Sequence, residues 1–578
     1  MQTLAGTSGG MTRGNQPLRL LAGIGAVAPV LLLVVAAAAS LAYALTFLRP
    51  ATSWLDGYLP LDPASSQPLA ALMWSVVLAS LAVGLVRGRS MAWWLVMAVL
   101  SLGLVAQSQA MSHPVGMLVI GCLLALLLAD RGRYQVETAA GWRRVIVAML
   151  VVGALVAALE TSLVIAATGS WPRGLGAIGD LTAALGNALG MSDSTADRVL
   201  HQTSRDMLVI LLVLASRLPI LLAAVGVLSR VAEPVPDPAT RARNLAIVRR
   251  YGSGALLPFQ LGEDKHVFGS PDADGLVVYG LTGRTAVVLG DPIGAPDALP
   301  IVLDEFLEGC RKLDRWPVVY QATSSSRGLL TAAGFRMFKV GEEAIVDLST
   351  WNLVGHRRAN LRHTITRCRK DGVTFRWYAN GIPASETGLL DEMTAIDAAW
   401  RKGMGPQMGF TISCFDPTST GDLPASVAIS ATGRVLGFAT FRPTGADCGY
   451  VLDLMRRAAD GPPGVVEACI AEAACALGAA GATTLSLGMA PLVALDGVNG
   501  PWEERVLARA VRLVHRWYDV DGLAFFKRKF DPDWIPRYGA TRRRRDIVGF
   551  AVSLLRVHLS GAFRLPWGRR PALPAATP

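Results

Sequence analysis

Charge is scarce in this chain, and its absence is concentrated at one end. Only 17 % of the 578 residues are charged while 52 % are hydrophobic, and mean hydropathy is +0.40. That balance is too apolar for an ordinary soluble enzyme of this length. The seven cysteines, Cys122, Cys310, Cys368, Cys414, Cys448, Cys469 and Cys475, show no Cys-x-x-Cys spacing. This argues against both a disulfide framework and a zinc site. The seven histidines form no ligand cluster, so no structural metal is expected. The Gly-x-x-x-x-Gly-Lys-Ser/Thr phosphate loop is also missing, and with it any sign of an ATP site.

What is present before Glu233 is apolar. Windows run over Leu20–Leu48, Leu69–Val86, Met91–Ala110, Pro114–Ala129, Val145–Thr168 and Met207–Val231. A helix needs roughly 20 apolar residues to cross a bilayer core; most windows meet that length and the fourth is marginal. Any one window could be a buried soluble helix, but six in series predict a membrane domain of six helices over 1–232. Arg13 and Arg19, Arg87 and Arg89, and Arg131, Arg133, Arg143 and Arg144 fall in alternate connections, which places those connections and both termini in the cytoplasm. The first window is too long for a removable signal peptide and reads as an anchor. The loop Gly169–Asp206 is an amphipathic connector or lies along the outer surface. Glu160, the sole carboxylate within a span, is a candidate for transport or lipid contact.

After the Pro-rich stretch Glu233–Pro238, read as a linker over 233–250, the periodicity changes. Leu276–Leu281 and Thr285–Leu289 alternate as a hairpin around Thr282-Gly283-Arg284. Helical patterns over Leu299–Leu313 and Ser326–Ala333 flank a strand at Val318–Gln321, and Phe335–Leu348 is extended. The theme then repeats: strands at Val427–Ser430, Val435–Phe441 and Tyr450–Met455, a helix at Val465–Leu477, and a strand at Thr484–Leu487. The expected organisation is therefore an α-helical membrane domain plus a duplicated, acyltransferase-like α/β part, with units over 251–380 and 381–545. The run Arg542–Arg545 introduces an apolar segment, Ile547–Leu559, which is either an interfacial helix or a helix packed on the soluble part; with a tail it makes up 546–578.

Seven stretches in order carry a resemblance: Gly290-Asp291-Pro292-Ile293-Gly294, Tyr320-Gln321, Lys339-Val340-Gly341-Glu342-Glu343-Ala344, Asp453-Leu454-Met455-Arg456-Arg457, Gly464-Val465-Val466-Glu467, Leu487-Gly488-Met489-Ala490-Pro491-Leu492 and Phe526-Lys527-Arg528-Lys529-Phe530. Over Arg241–Tyr538 the chain resembles the cytoplasmic domain of aminoacyl-phosphatidylglycerol synthases, the multiple peptide resistance factor family. The resemblance implies two tandem domains of the N-acetyltransferase (GNAT) type. It also implies transfer of an amino acid, usually lysine or alanine, from its tRNA to the glycerol hydroxyl of phosphatidylglycerol. It places Asp453, Arg456, Glu467 and Lys529 around the aminoacyl and acceptor-phosphate positions, with Glu342 and Glu343 contributed by the other domain and Lys339 beside them. Family members that also flip their product carry more spans than six, and some actinobacterial relatives carry a fused lysyl-tRNA synthetase; neither is expected here.

The chemistry is consistent with those residue types. An aminoacyl-tRNA is already an activated ester, so transfer needs positioning, proton handling and charge stabilisation and no further cofactor. Carboxylates suit a protonated α-amine, and Arg456 or Lys529 suits a lipid phosphate or a developing oxyanion. Lys527 and Glu343 also read as ordinary surface ion pairs. Along Leu353–Lys370, Leu361, Ile365 and Cys368 make an apolar stripe while Arg357, Arg358, Arg362, Arg367, Arg369 and Lys370 crowd the remainder. That face is either merely solvated or a site for polyanions, tRNA or anionic lipid, to which Arg358 and Arg362 would bind. The net charge of +11 fits either polyanion. Two other readings stay open. One is a membrane-anchored acyl-CoA-dependent acyltransferase, poorly matched because Pro462 and Pro463 remove two phosphate-binding N–H groups. The other is a lipid transporter with a regulatory headgroup sensor.

Overall fold

The computed structural model describes residues 68–110, 114–136, 237–262, 264–404, 409–491 and 520–559, with 28–39, 142–149 and scattered positions between 41 and 228, and 505. It divides into two compact units, 1–234 with 311–314, and 235–310 with 315–578. Most of the first, fifth and sixth apolar windows, Glu160, the 169–206 loop, Leu492 and the 571–578 tail lie outside the described residues.

In the first unit, α1 (Pro68–Val86), α2 (Ser90–Ala110) and α3 (Pro114–Ala129) correspond to the second, third and fourth windows. Gly88 breaks the chain between α1 and α2 with φ +68°, a left-handed conformation that glycine adopts at little cost. Leu78, Leu81, Leu85, Trp93, Ile120 and Leu127 share one core, and Trp93 Nε1 donates to the Leu127 carbonyl at 3.0 Å. Among the described residues no helix is long and apolar enough to cross a membrane: α3 has 16 residues, and parts of α1 and α2 have side chains outside the described set.

The second unit begins where a linker was expected. Asp237 accepts a hydrogen bond from the Thr240 amide at 2.8 Å, and Pro238 occupies the first turn of α4 (Pro238–Tyr251). Proline costs nothing there, because the first-turn N–H is unpaired in any helix. Asp237 and Pro238, the last two residues of the Pro-rich stretch, thus start a helix, and Ile247 and Val248 of α4 pack with Leu276, Val278 and Ile293. The expected linker over 233–250 is corrected accordingly.

The strands are β1 (His266–Gly269), β2 (Gly275–Thr282), β3 (Thr285–Leu289), β4 (Ile293–Gly294), β5 (Trp316–Ala322), β6 (Arg336–Asp347), β7 (Thr374–Tyr378), β8 (Ala425–Ile429), β9 (Val435–Pro443), β10 (Tyr450–Arg457), β11 (Thr484–Pro491) and β12 (Asp533–Thr541). The remaining helices are α5 (Leu257–Gln260), α6 (Leu299–Lys312), α7 (Arg327–Ala332), α8 (Ala359–Lys370), α9 (Thr387–Met404), α10 (Pro417–Gly421), α11 (Val465–Ala479), α12 (Val520–Arg528) and α13 (Asp546–Leu559). One sheet takes in every strand, in the order β1-β2-β3-β5-β12-β6-β11-β10-β9-β8-β7, with β4 against β2. The expected hairpin is present, Thr282 facing Thr285 across the two-residue turn Gly283-Arg284.

Each half of the sheet repeats one plan. Antiparallel strands lead to a parallel pair, β3–β5 in one half and β10–β11 in the other, and a helix, α6 or α11, connects each pair. The sixth strand of each half is supplied by the other: β6 pairs antiparallel with β11, and β12 pairs antiparallel with both β5 and β6. The expected boundary at 380 therefore does not divide two self-contained domains. β7 belongs to the edge of the second half, on β8, and β12 returns to the first.

The alternatives for Ile547–Leu559 are also separated. α13 buries Ile547, Phe550 and Val557 in a core with Val287, Leu289, Tyr320 and Phe338, and Ser553 Oγ donates to Thr285 Oγ1 at 2.9 Å. It is a helix packed on the sheet, and the interfacial assignment for this segment is corrected.

Candidate functional site

The two parallel pairs differ in one respect that places the site. β3 and β5 stay in register over five residue pairs, from Thr285↔Trp316 to Leu289↔Tyr320, and the Gly290 amide adds a further bond to the Tyr320 carbonyl at 2.8 Å. β10 and β11 pair only at Tyr450↔Leu485 and Val451↔Ser486. Beyond that point β10 continues to Arg457 on β9 alone, and β11 continues to Pro491 on β6 alone. A wedge opens between them. Bulges fall at its mouth on both strands, between Leu452 and Leu454 and between Ser486 and Met489. Bulges turn side chains and end pairing, and they recur beside active sites.

The β10 bulge sets where its side chains go. Leu452 and Met455 pack on the α11 face with Leu485 and Leu487, whereas Leu454 packs on the α9 face with Met393 and Ile396. Asp453 and Arg456 find their partners apart from the α11 core. Asp453 is fully buried, with Arg442 Nε of β9 at 3.1 Å from Oδ1. Among the described residues it is the one buried carboxylate with both oxygens outside any hydrogen bond. Such a group is costly unless something else uses it. Arg456 Nε donates to Asp397 Oδ1 of α9 at 2.8 Å, its guanidinium carbon lies 3.7 Å from the Trp400 ring centroid, and Arg401 Nε reaches Asp397 Oδ2 at 2.7 Å. Burial draws the Arg456 pKa below the usual guanidinium value, and Asp397 opposes that shift.

A second cluster borders β11. Glu343 of β6 is 2 % exposed. It accepts from Ser486 Oγ at 2.5 Å and from both Nε and Nη2 of Arg537 on β12, the Nε bond being 2.8 Å. Lys527 of α12 is 3 % exposed, and its Nζ donates to the carbonyls of Gly488 at 2.9 Å and Met489 at 3.0 Å. Burial pushes the Lys527 ammonium down to about 7, with Glu343 pulling the other way. The surface ion-pair reading of Lys527 and Glu343 is thus corrected, since both are interior. Glu343 does come to β11 from the other half, as expected, but Glu342 is held by Lys339 Nζ at 2.6 Å.

Glu467 lies in the first turn of α11, and Lys529 Nζ donates to its Oε1 at 2.8 Å. These two are brought together at the start of α11, which covers the opposite sheet face from α9. No contact joins them to Asp453 or Arg456, each of which has its own partner. Arg358 and Arg362 are half-buried, while the other arginines of α8 and its entry loop stay exposed and find partners at the surface. Arg358 donates to the Asn352 carbonyl at 2.9 Å and lies 3.5 Å from Asp531. Arg362 donates to the carbonyls of Leu353 and Gly355, the latter at 2.6 Å. Arg367 holds the Pro463 carbonyl at 2.5 Å, and Arg369 pairs with Glu472. The apolar stripe Leu361, Ile365 and Cys368 is buried as the spacing predicts.

Sequence reading missed Asp397, Trp400, Arg401, Arg442, Ser486 and Arg537. A helical pattern over 387–404 would have exposed the first three as one turn-spaced group.

The second unit is thus a mixed α/β sheet of two strand-exchanged halves, one of which carries an interrupted parallel pair. The chain belongs to the family described as phosphatidylglycerol lysyltransferase, C-terminal, whose model matches residues 245–541. It is 31 % identical over 316 residues to a phosphatidylglycerol lysyltransferase of Bacillus subtilis, covering 54 % of this chain and 36 % of that one. It is 28 % identical over 539 residues to a lysylphosphatidylglycerol biosynthesis bifunctional protein LysX of Nocardia farcinica, covering 89 % of this chain and 46 % of that one. The chain thus spans less than half the length of these curated relatives. Among solved structures, L-PGS from Bacillus licheniformis aligns at 29 % identity with a TM-score of 0.47, over 57 % of this chain and 98 % of that one.

Proposed function

We propose that this protein is a membrane-anchored transferase that moves an aminoacyl group, lysyl or alanyl, from aminoacyl-tRNA to the glycerol hydroxyl of phosphatidylglycerol at the inner leaflet. The two α/β halves are read as tandem N-acetyltransferase-like domains and the apolar region as six spans, with the α/β part in the cytoplasm. The observation that carries the reading is the wedge. It is a break in the β10–β11 ladder, with a buried carboxylate, Asp453, on one strand and the Glu343–Ser486–Lys527 cluster on the other. Because the sheet is unpaired there, donor and acceptor could meet across it from opposite faces. The Asp453–Arg442 and Arg456–Asp397 pairs would then line the aminoacyl side, and Glu467 and Lys529 would take the lipid headgroup.

In this scheme the lipid hydroxyl oxygen attacks the ester carbonyl carbon, the C–O bond to the ribose breaks, and the hydroxyl proton ends on the departing ribose oxygen. Glu467 would pass that proton, and Lys529 would offset the lipid phosphate. The relatives' names, as phosphatidylglycerol lysyltransferase and lysylphosphatidylglycerol biosynthesis proteins, support the acceptor and the aminoacyl group. No bound cofactor enters the scheme.

Acyl-CoA as donor is disfavoured on one specific ground. The segment before α11 is a poor anion cradle, since Pro462 and Pro463 carry no N–H and Glu467 adds negative charge in the first turn. Mass analysis of lipids from cells with and without the chain tests the proposal. Lysyl- or alanyl-phosphatidylglycerol should appear only with it, and ribonuclease should abolish the activity in extracts. A folded, abundant protein with no such lipid would overturn the reading.

A further inference from the structure

We propose that Lys527 is a positioning residue that replaces the missing strand partner of β11 and so holds the β10–β11 wedge open. The inference rests on the function proposed above and deepens it, by naming what shapes the donor site. Where β11 parts from β10, its backbone polar groups must find other partners, because an unpaired buried carbonyl or amide is costly. Side chains supply them. The Gly488 amide donates to Ser486 Oγ at 3.1 Å, and the Gly488 and Met489 carbonyls both accept from Lys527 Nζ. Gly488 has φ +78°, which lets the bulge turn these two carbonyls toward α12.

Lys527 reaches this point from the last turn of α12, the helix immediately before Lys529. The charged groups facing it are few. β11 brings none, β6 brings Glu343, and Glu343 is itself shared with Arg537 of β12. At the end of α12 Arg528 is exposed, and Lys529 just beyond it is engaged by Glu467. The clamp is therefore a single ammonium on two carbonyls beside one already-paired carboxylate. Loss of its side chain should loosen the bulge and misplace the ester that the wedge receives.

The test uses the full chain in nanodiscs containing phosphatidylglycerol, with lysyl-tRNA and alanyl-tRNA as donors, for wild type, Lys527→Met and Lys527→Arg. Hydrogen–deuterium exchange over 484–491 is followed in the same samples without donor. In Lys527→Met, exchange of the bulge amides should quicken at least tenfold while β8 and β9 are unchanged, kcat/KM should fall at least tenfold, and the titration near neutral pH should vanish from the rate profile. Lys527→Arg, which keeps the donors and a permanent charge, should restore slow exchange and remove that titration. In wild type, bulge exchange corrected for its intrinsic pH dependence should fall as pH rises above about 7, because opening the bulge hydrates the Lys527 amine and takes up a proton. This last measurement needs no variant and so stands even if Lys527→Met misfolds. Unchanged bulge exchange and an unchanged pH profile in Lys527→Met, or a flat wild-type exchange profile, would overturn the proposal. If wild type transfers nothing from either tRNA, the functional reading fails while the exchange data still decide the role of Lys527.

Discussion

Asp397 has no exposed side-chain surface and sits between two guanidinium groups, Arg456 and Arg401. Removing one partner of a buried ion pair leaves an uncompensated charge, which costs about 3–5 kcal/mol. Asp397→Ala should therefore lower the denaturant midpoint of the α/β unit strongly, and Asp397→Asn should cost less because it still accepts from Arg456. Equal midpoints for Asp397→Ala and wild type would refute this. At Lys527 the expectation concerns pH. Its ammonium is held at about 7 in the fold against an ordinary 10.5, so between those values the unfolded chain binds a proton that the folded one does not. Stability gained from this group should rise from pH 7 toward 10.5, by up to about 1.4 kcal/mol per pH unit, and be at its lowest below pH 7. Lys527→Met should flatten that rise in urea titrations at successive pH values.

These residues also show how much of the site could be read without coordinates. Asp453, Arg456, Glu467 and Lys529 stand in contiguous motifs and were visible as candidates. Their partners were not, because Arg456 and Asp397 are 59 positions apart, and pairing over that distance depends on how α9 lies on the sheet. Lys527 was misjudged because a lysine beside Arg528 and Lys529 looks solvated. Helical geometry turns position 527 inward, toward the β11 carbonyls, and leaves Phe525 and Arg528 outside.

At the scale of elements, α11 meets α8 through a close approach at Gly464. Its φ is +88°, and a Cβ there would lie 2.4 Å from the Thr364 methyl. Gly464→Ala should thus destabilise by about 1–3 kcal/mol, combining backbone strain with overpacking. Adding Thr364→Ser should recover the packing part and leave the backbone part. If Gly464→Ala alone is neutral in thermal unfolding, the contact is not as tight as described. Most local elements of the second unit were legible in the sequence. The hairpin β2–β3 is fixed by its turn residues, α6 and α11 by apolar spacing, and β10 by its alternation up to the bulge. β12 was missed because Pro536 and the charged flanks hide its extended pattern, and α9 because its apolar residues are diluted by small and charged ones. The linker reading failed on a helix cap, since Asp237 and Pro238 punctuate a turn and begin a helix with the same residues.

On the scale of the whole α/β unit, each half is completed by a strand from the other. A protein ending before Asp533 would lose one partner of β5 and one partner of β6. Such a truncation, or the isolated segments 251–380 and 381–545, should fail to give the protease-resistant unit that 235–578 gives. Full protection of either segment alone would contradict the exchange of strands. The repeat itself was visible as two runs of similar element order, but which strand pairs with which is set by contacts far apart in the chain, and no local pattern encodes it.

The position of β12 also sets a timetable for synthesis. β5 leaves the ribosome long before its neighbour, which is encoded about two hundred residues later. At roughly 5–20 residues per second the nascent chain would wait on the order of ten seconds or more with that edge bare. An unpaired strand edge is a template for adding a stranger's strand. Newly made molecules of this protein should therefore depend on holding factors at the exit tunnel, and slowing translation should raise the fraction that sticks together before it is finished.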